Sequence, residues 1–204
     1  MLEVYLPKFC INETEYISKI ILSDFLGLEY TIILHDESFI KIKSNKSKKP
    51  LILETSFFEN CKDHYLCKES LPELPLKFWH PPSIMKNIKL TSNEVPIIFG
   101  NNKVEINDNQ IRIGLDIFGS SFFMLTRYEE VVINAFDSHG RFDIKQSTAV
   151  KENFYDRPIV NEYVEILWEF LRLTNHNLHR KNQKFSKTIS CDIDHLFDPV
   201  IKSP

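Results

Sequence analysis

From Asp116 to Phe142 the chain reads DIFGSSFFMLTRYEEVVINAFDSHGRF, and no other stretch limits the fold so tightly. Phe118, Phe122, Leu125 and Val132 recur at helical spacing, with Ile117, Met124 and Val131 widening the stripe. The first half therefore predicts one buried helix. Asp116 stands at its N-cap, where a carboxylate accepts an otherwise unpaired backbone amide. A charged group is set into this apolar run. Arg127 and Glu130 are three apart, within pairing reach on a helix, and Glu129 lies beside them. The spacing suits a structural ion-pair cluster. The alternative is that Arg127, Glu129 and Glu130, with Asp137 and Arg141 beyond, line an interface or a sugar pocket. Asp137-Ser138-His139-Gly140-Arg141-Phe142 predicts a tight turn, in which Gly140 takes a positive φ and Asp137 accepts amides ahead of it.

Upstream, strand and helix signals alternate. A short strand over 4–6 ends at Pro7. Tyr16, Ile17, Ile20, Ile21 and Phe25 give a helix over 13–25 its apolar face, stopped at Gly27. Residues 30–34 (YTIIL), 39–43 (FIKIK) and 51–53 (LIL) predict strands, the second a short edge strand with one wet face. Pro72, Pro75, Pro81 and Pro82 break 61–82 into an irregular connection anchored by Phe78 and Trp79. Strands over 95–99 and 104–106 joined at Gly100-Asn101-Asn102, and a third over 110–113 after Asn107-Asp108-Asn109, predict antiparallel hairpins. A short helix over 147–151 follows. Arg157-Pro158 then opens a strong one to Thr174, with Val160, Tyr163, Val164, Leu167, Phe170 and Leu171 facing the core. The class is α/β, a mixed sheet with flanking helices.

Charge and length narrow the function classes. The 204 residues suffice for one large domain, or one domain and part of another. A net charge of -3 gives no electrostatic case for nucleic acid or an anionic membrane. The basic run at 41–49 reads as a strand end entering a solvated loop. No apolar run reaches the roughly 20 residues of a membrane span, and the N-terminus lacks the pattern of a secretory signal. Cys10, Cys61, Cys67 and Cys191 lack metal-finger spacing and are expected as reduced thiols. A soluble, cytoplasmic protein is the expectation.

Residues 175–186 read as a polar linker, in which His176 and His179 are expected to be solvated rather than metal-binding. KTISCDI at 187–193 predicts a strand bringing Asp192 and Asp194 to its carboxyl end, where α/β folds place their chemistry. Two carboxylates in D-x-D can divide the work, one binding a cation and the other accepting a proton from water. They can also cap the next helix. D-x-D alone is a weak motif, shared with phosphatases that use an aspartyl nucleophile and with metal-dependent glycosyltransferases.

Four segments, LDIFGSSFFMLTRYEE, DSHGRF, RPIVNEYVEILWEFL and ISCDIDH, together resemble bacterial proteins of the polysaccharide deacetylase superfamily. More narrowly, they look like those whose deacetylase domain follows an N-terminal domain of unknown function. The resemblance covers most of the chain from Val95 onward. It implies an N-terminal α/β domain over 1–174, a linker over 175–186, and over 187–204 the first strand of a distorted β/α barrel left incomplete here. It implies Asp192 as catalytic base and Asp194 as ligand of a divalent metal, usually zinc. The motif is D-x-D rather than the adjacent aspartate pair commoner in the superfamily. The two metal-binding histidines come from a later segment that nothing here matches, and His195 does not take their place. The implied chemistry is amide hydrolysis on an N-acetylated glycan, with Asp192 helping to deprotonate the attacking water beside the metal. This chain alone is then expected to be inactive and to bind no metal tightly. The competing readings are a non-catalytic glycan-recognition or interaction module and a phosphatase beginning at Asp192.

Overall fold

The computed structural model describes residues 1–44, 49–85, 88–175, 177–182 and 186–191. Strand β1 (Leu2–Pro7) opens the chain with Leu2, Val4 and Leu6 buried, the period-2 pattern of a half-covered strand. Helix α1 (Ile11–Ser18) continues directly into a π-helical stretch, Lys19–Phe25, and the chain turns at Gly27 with φ +67°. Thr14, Ile17, Ser18, Ile21 and Leu22 form the inner face. Two small hydroxyl residues thus occupy places expected of aliphatics, and Tyr16 is left 48% exposed. Strands β2 (Tyr30–His35), β3 (Phe39–Ser44) and β4 (Leu51–Glu54) precede helix α2 (Ser56–His64). The short strands β5 (Lys77–Trp79) and β6 (Val95–Ile97) are followed by β7 (Gly100–Ile106) and β8 (Ile111–Leu115). Helices α3 (Ile117–Leu125), α4 (Tyr128–Val132), α5 (Thr148–Lys151) and α6 (Ile159–Thr174) complete the body.

The six-stranded sheet has the order β2-β1-β3-β4-β8-β7. β1 runs parallel to β2 and β4 parallel to β8, while the other neighbours are antiparallel, so the sheet is mixed as expected. β5 and β6 form a separate antiparallel pair. α3 is the hub of the helical layer, packing on α1, α2, α4 and α6. Leu2, Val4, Leu6, Ile40 and Ile42 join that layer in one core, and their alternates Glu3, Tyr5, Lys41 and Lys43 line the wetter face.

Three expectations about the sheet are corrected by this arrangement. β3 lies between β1 and β4 and is not an edge strand. The alternation in FIKIK reports a half-covered sheet, and an interior strand of such a sheet also has a wet face. Val95–Ile97 pairs with β5 rather than with 104–106, and Gly100-Asn101-Asn102 is strand, not turn. Gly100, at φ +91°, sits opposite Leu115 ahead of a register irregularity before Val104, so its conformational freedom serves a bulge.

The helix begun at Asp116 does not run through to Val132. Thr126 Oγ1 donates back to Phe122 O (2.7 Å) and Arg127 turns left-handed at φ +54°, so α4 starts on a new axis. Leu125 and Val131, expected on the buried stripe, reach solvent instead. No barrel strand is present among the described residues. Residues 187–191 are exposed and belong to no strand among the described residues. No described helix is long and apolar enough to cross a membrane.

Candidate functional site

At the carboxyl ends of the parallel strands β4 and β8 the chain enters α2 and α3, and a single side chain ties the two helix starts together. Asp116 is fully buried. Its Oδ1 accepts the Gly119 N–H at 2.8 Å and its Oδ2 accepts the Phe57 N–H at 2.8 Å. The N-cap on α3 was legible in the sequence; the reach across to α2 was not. α2 itself was missed beside the proline-rich run, although Thr55-Ser56 followed by Phe57, Phe58 and Cys61 is a usable start-and-stripe signal. Burial raises the Asp116 carboxyl from its ordinary value to about 7, against the lowering effect of the Phe57 and Gly119 amides. Gly119 leaves room for this bridge. A Cβ there would come within 2.5 Å of Phe57 Cβ and would collide with the carboxylate.

Close to this junction a cleft of about 240 Å³ is lined by Ser56 and Asn60 of α2, by Glu69, Glu73 and Lys77, and by the 97–100 backbone region. Its carboxylates, ammonium, amide and hydroxyl suit hydrogen bonding to a polar ligand. The lining holds no His or Cys. Tyr128, which sequence reading passed over, is buried with its hydroxyl accepting the Leu66 N–H at 2.5 Å and sharing a bond with Ser70 Oγ at 2.9 Å. Burial pushes both the Tyr128 hydroxyl and the Cys61 thiol up to about 12, so both stay neutral structural groups.

The charged residues singled out in the sequence form separate local units. Arg127 Nε donates to Glu130 Oε1 at 2.6 Å on the surface, the expected pair. Asp137 Oδ1 accepts the His139 and Arg141 amides at 2.8 and 3.0 Å, and Oδ2 accepts Arg141 Nε at 3.0 Å, around Gly140 at φ +73°. These bonds, the Arg141 amide first, hold the Asp137 carboxyl below its ordinary value. Glu129 turns inward and accepts both the N–H (2.8 Å) and the hydroxyl (2.6 Å) of Thr148 at the start of α5. Each member of this group therefore has its own partner, and Glu129 and Glu130, consecutive on α4, point to different sides of that helix.

Asp192, Asp194 and His195 lie outside the described residues, as does His176. His179 is exposed. Among the described residues, no three His, Cys, Asp or Glu side chains converge to hold a metal, and the four cysteines are free.

Fold and site define a mixed-sheet α/β domain with one helical layer, a carboxylate shared between two helix starts and a polar cleft beside it. The chain belongs to DUF7033, a family of unknown function, whose model matches residues 2–176. No curated protein and no solved structure matches the chain.

Proposed function

We propose that residues 2–176 form the non-catalytic N-terminal body of a metal-dependent carbohydrate deacetylase, and that the segment from Lys187 begins its hydrolytic domain. The observation that carries this reading is the placement of residues 187–191. KTISC has the composition of a strand, yet Ile189 is 85% exposed and no ladder among the described residues takes the segment up. The core is closed without it, and the family match ends before it. A β-branched apolar segment outside a finished core calls for a sheet elsewhere to cover it. By resemblance, Asp192 is the base toward the attacking water and Asp194 a ligand of the divalent metal, zinc, that polarises the acetyl group of an N-acetylated glycan. A zinc centre takes three protein donors as a rule, so Asp194 needs partners beyond the described body.

Two measurements test the reading. Acetate release from chito-oligosaccharides by the purified chain with added zinc is expected to be nil. Release that is lost on Asp192→Asn would show a complete centre within these residues and overturn it. Truncation after Ser186 is expected to move the melting temperature by no more than about 2 °C, because its described residues, 187–191, are all exposed. A substantially larger drop would make the tail part of this body rather than the start of another.

A further inference from the structure

The two edges of the sheet are built differently. β7 is blunted by Asn101, Asn102, Lys103 and Glu105 and by its register irregularity, the usual protection of an edge against pairing. β2, the opposite edge, carries no such device. Its centre is Ile32, Ile33 and Leu34, exposed at 38%, 38% and 42%. Its backbone phase is fixed at both ends. Leu2 N–H donates to Glu29 O and Lys8 N–H to His35 O, each at 3.0 Å, bracketing the parallel ladder with β1. Thr31, Ile33 and His35 therefore turn their amides and carbonyls toward β1. Tyr30, Ile32 and Leu34 turn theirs to the open edge, where no described residue bonds them.

We propose that β2 pairs antiparallel with β2 of a second copy of this chain, about a twofold axis at Ile32, joining the two sheets into one. The ladder phase allows only outward residues to face outward residues. The register that uses the whole strand sets Ile32 against the partner's Ile32 and Tyr30 against the partner's Leu34. The same register sets Glu29 against the partner's His35, a carboxylate facing an imidazole. His35 donates through Nε2 to Phe39 O at 2.9 Å, which leaves Nδ1, a donor in the imidazolium form, to meet that carboxylate. A shift by two residues in one direction sets Glu29 against the partner's Glu37, and in the other it shortens the ladder. On the helical side, Tyr16, Tyr30 and Ile32 border an open groove of about 420 Å³ with Asn12, Glu15 and Lys19. The partner's Leu34 arrives beside Tyr30 at that groove, covering apolar surface that a lone sheet leaves wet.

Sedimentation equilibrium of the full chain at tens of micromolar is expected to give twice the monomer mass. Ile32→Lys and Ile32→Glu, at an exposed position, should each weaken association by at least about tenfold with unchanged melting temperature, since like charges then meet on the axis. An equimolar mixture of the two should recover the dimer, because only this register brings position 32 against itself. Glu29→Lys, at an exposed residue, provides a second variant and should also weaken the dimer. A monomeric full chain, or a dimer indifferent to Ile32→Lys, overturns the proposal. So does a full chain that is monomeric and dimerises only after truncation following Ser186, which would make the tail the occupant of this edge.

Discussion

Asp116→Ala is expected to lower the unfolding free energy by about 3–5 kcal/mol, combining two lost helix caps with two buried donors left unpaired. The residues around it explain why the loss exceeds that of an ordinary cap. The Gly119 and Phe57 amides each reach the carboxylate at 2.8 Å in a site with no exposure to water. Neither amide can be rehydrated without opening the contact between α2 and α3. Urea unfolding of the variant measures the loss, and a cost under about 1 kcal/mol would mean that the helices re-cap without the bridge.

The same side chain gives a pH dependence of definite sign. Burial is the largest influence on it and raises the folded carboxyl to about 7, from an ordinary value of 3.8. The folded protein therefore holds this proton more tightly than the unfolded chain. Its contribution is fully present below the unfolded value and is lost as pH rises through the folded one, a window from about pH 4 to about pH 7. Asp116→Asn, which cannot titrate, provides the reference. The stability difference between wild type and Asp116→Asn is expected to shrink across that window. A difference that grows with pH would show that the two amides, not burial, dominate the carboxylate.

The sequence made some of this structure legible and hid the rest for identifiable reasons. α6 was readable to its last turn because its 16 residues repeat one apolar spacing and start beside a proline. The Asp116 cap on α3 and the Asp137 turn were readable because every partner lies within a few residues. What failed was non-local. The bond from Asp116 to Phe57 spans 59 positions, and no periodicity encodes it. The interior place of β3 follows from strand order, on which a single strand's alternation is silent. Glu129 and Glu130 are adjacent and chemically alike, yet one is buried on Thr148 and the other lies on the surface with Arg127. Both lie on α4, where consecutive side chains point about 100° apart, and α4 itself starts from a left-handed Arg127, an arginine where glycine is the usual signal. The cleft by α2 was hidden for the same reason as α2 itself, since the prolines after it suggested only an irregular connection.

Glu162 illustrates the same limit and carries the second large expected effect. In the sequence it is one polar position on α6; in the fold its side chain is 3% exposed and holds the irregular segment before β6 to the helix. Oε1 accepts the Thr91 N–H at 2.8 Å and Oε2 accepts Arg157 Nη2 at 2.8 Å. The same Arg157 nitrogen donates to Glu94 O at 2.9 Å. Glu162→Ala is expected to cost about 3–5 kcal/mol, because it strands a nearly buried guanidinium and an amide together. If the stranded charge is the cause, removing it should return part of the loss. Arg157→Met combined with Glu162→Ala is therefore expected to cost less than the sum of the single changes by about 1–3 kcal/mol. Strict additivity in that double-mutant cycle would place the cost in the Thr91 contact and lost packing, with the ion pair contributing little.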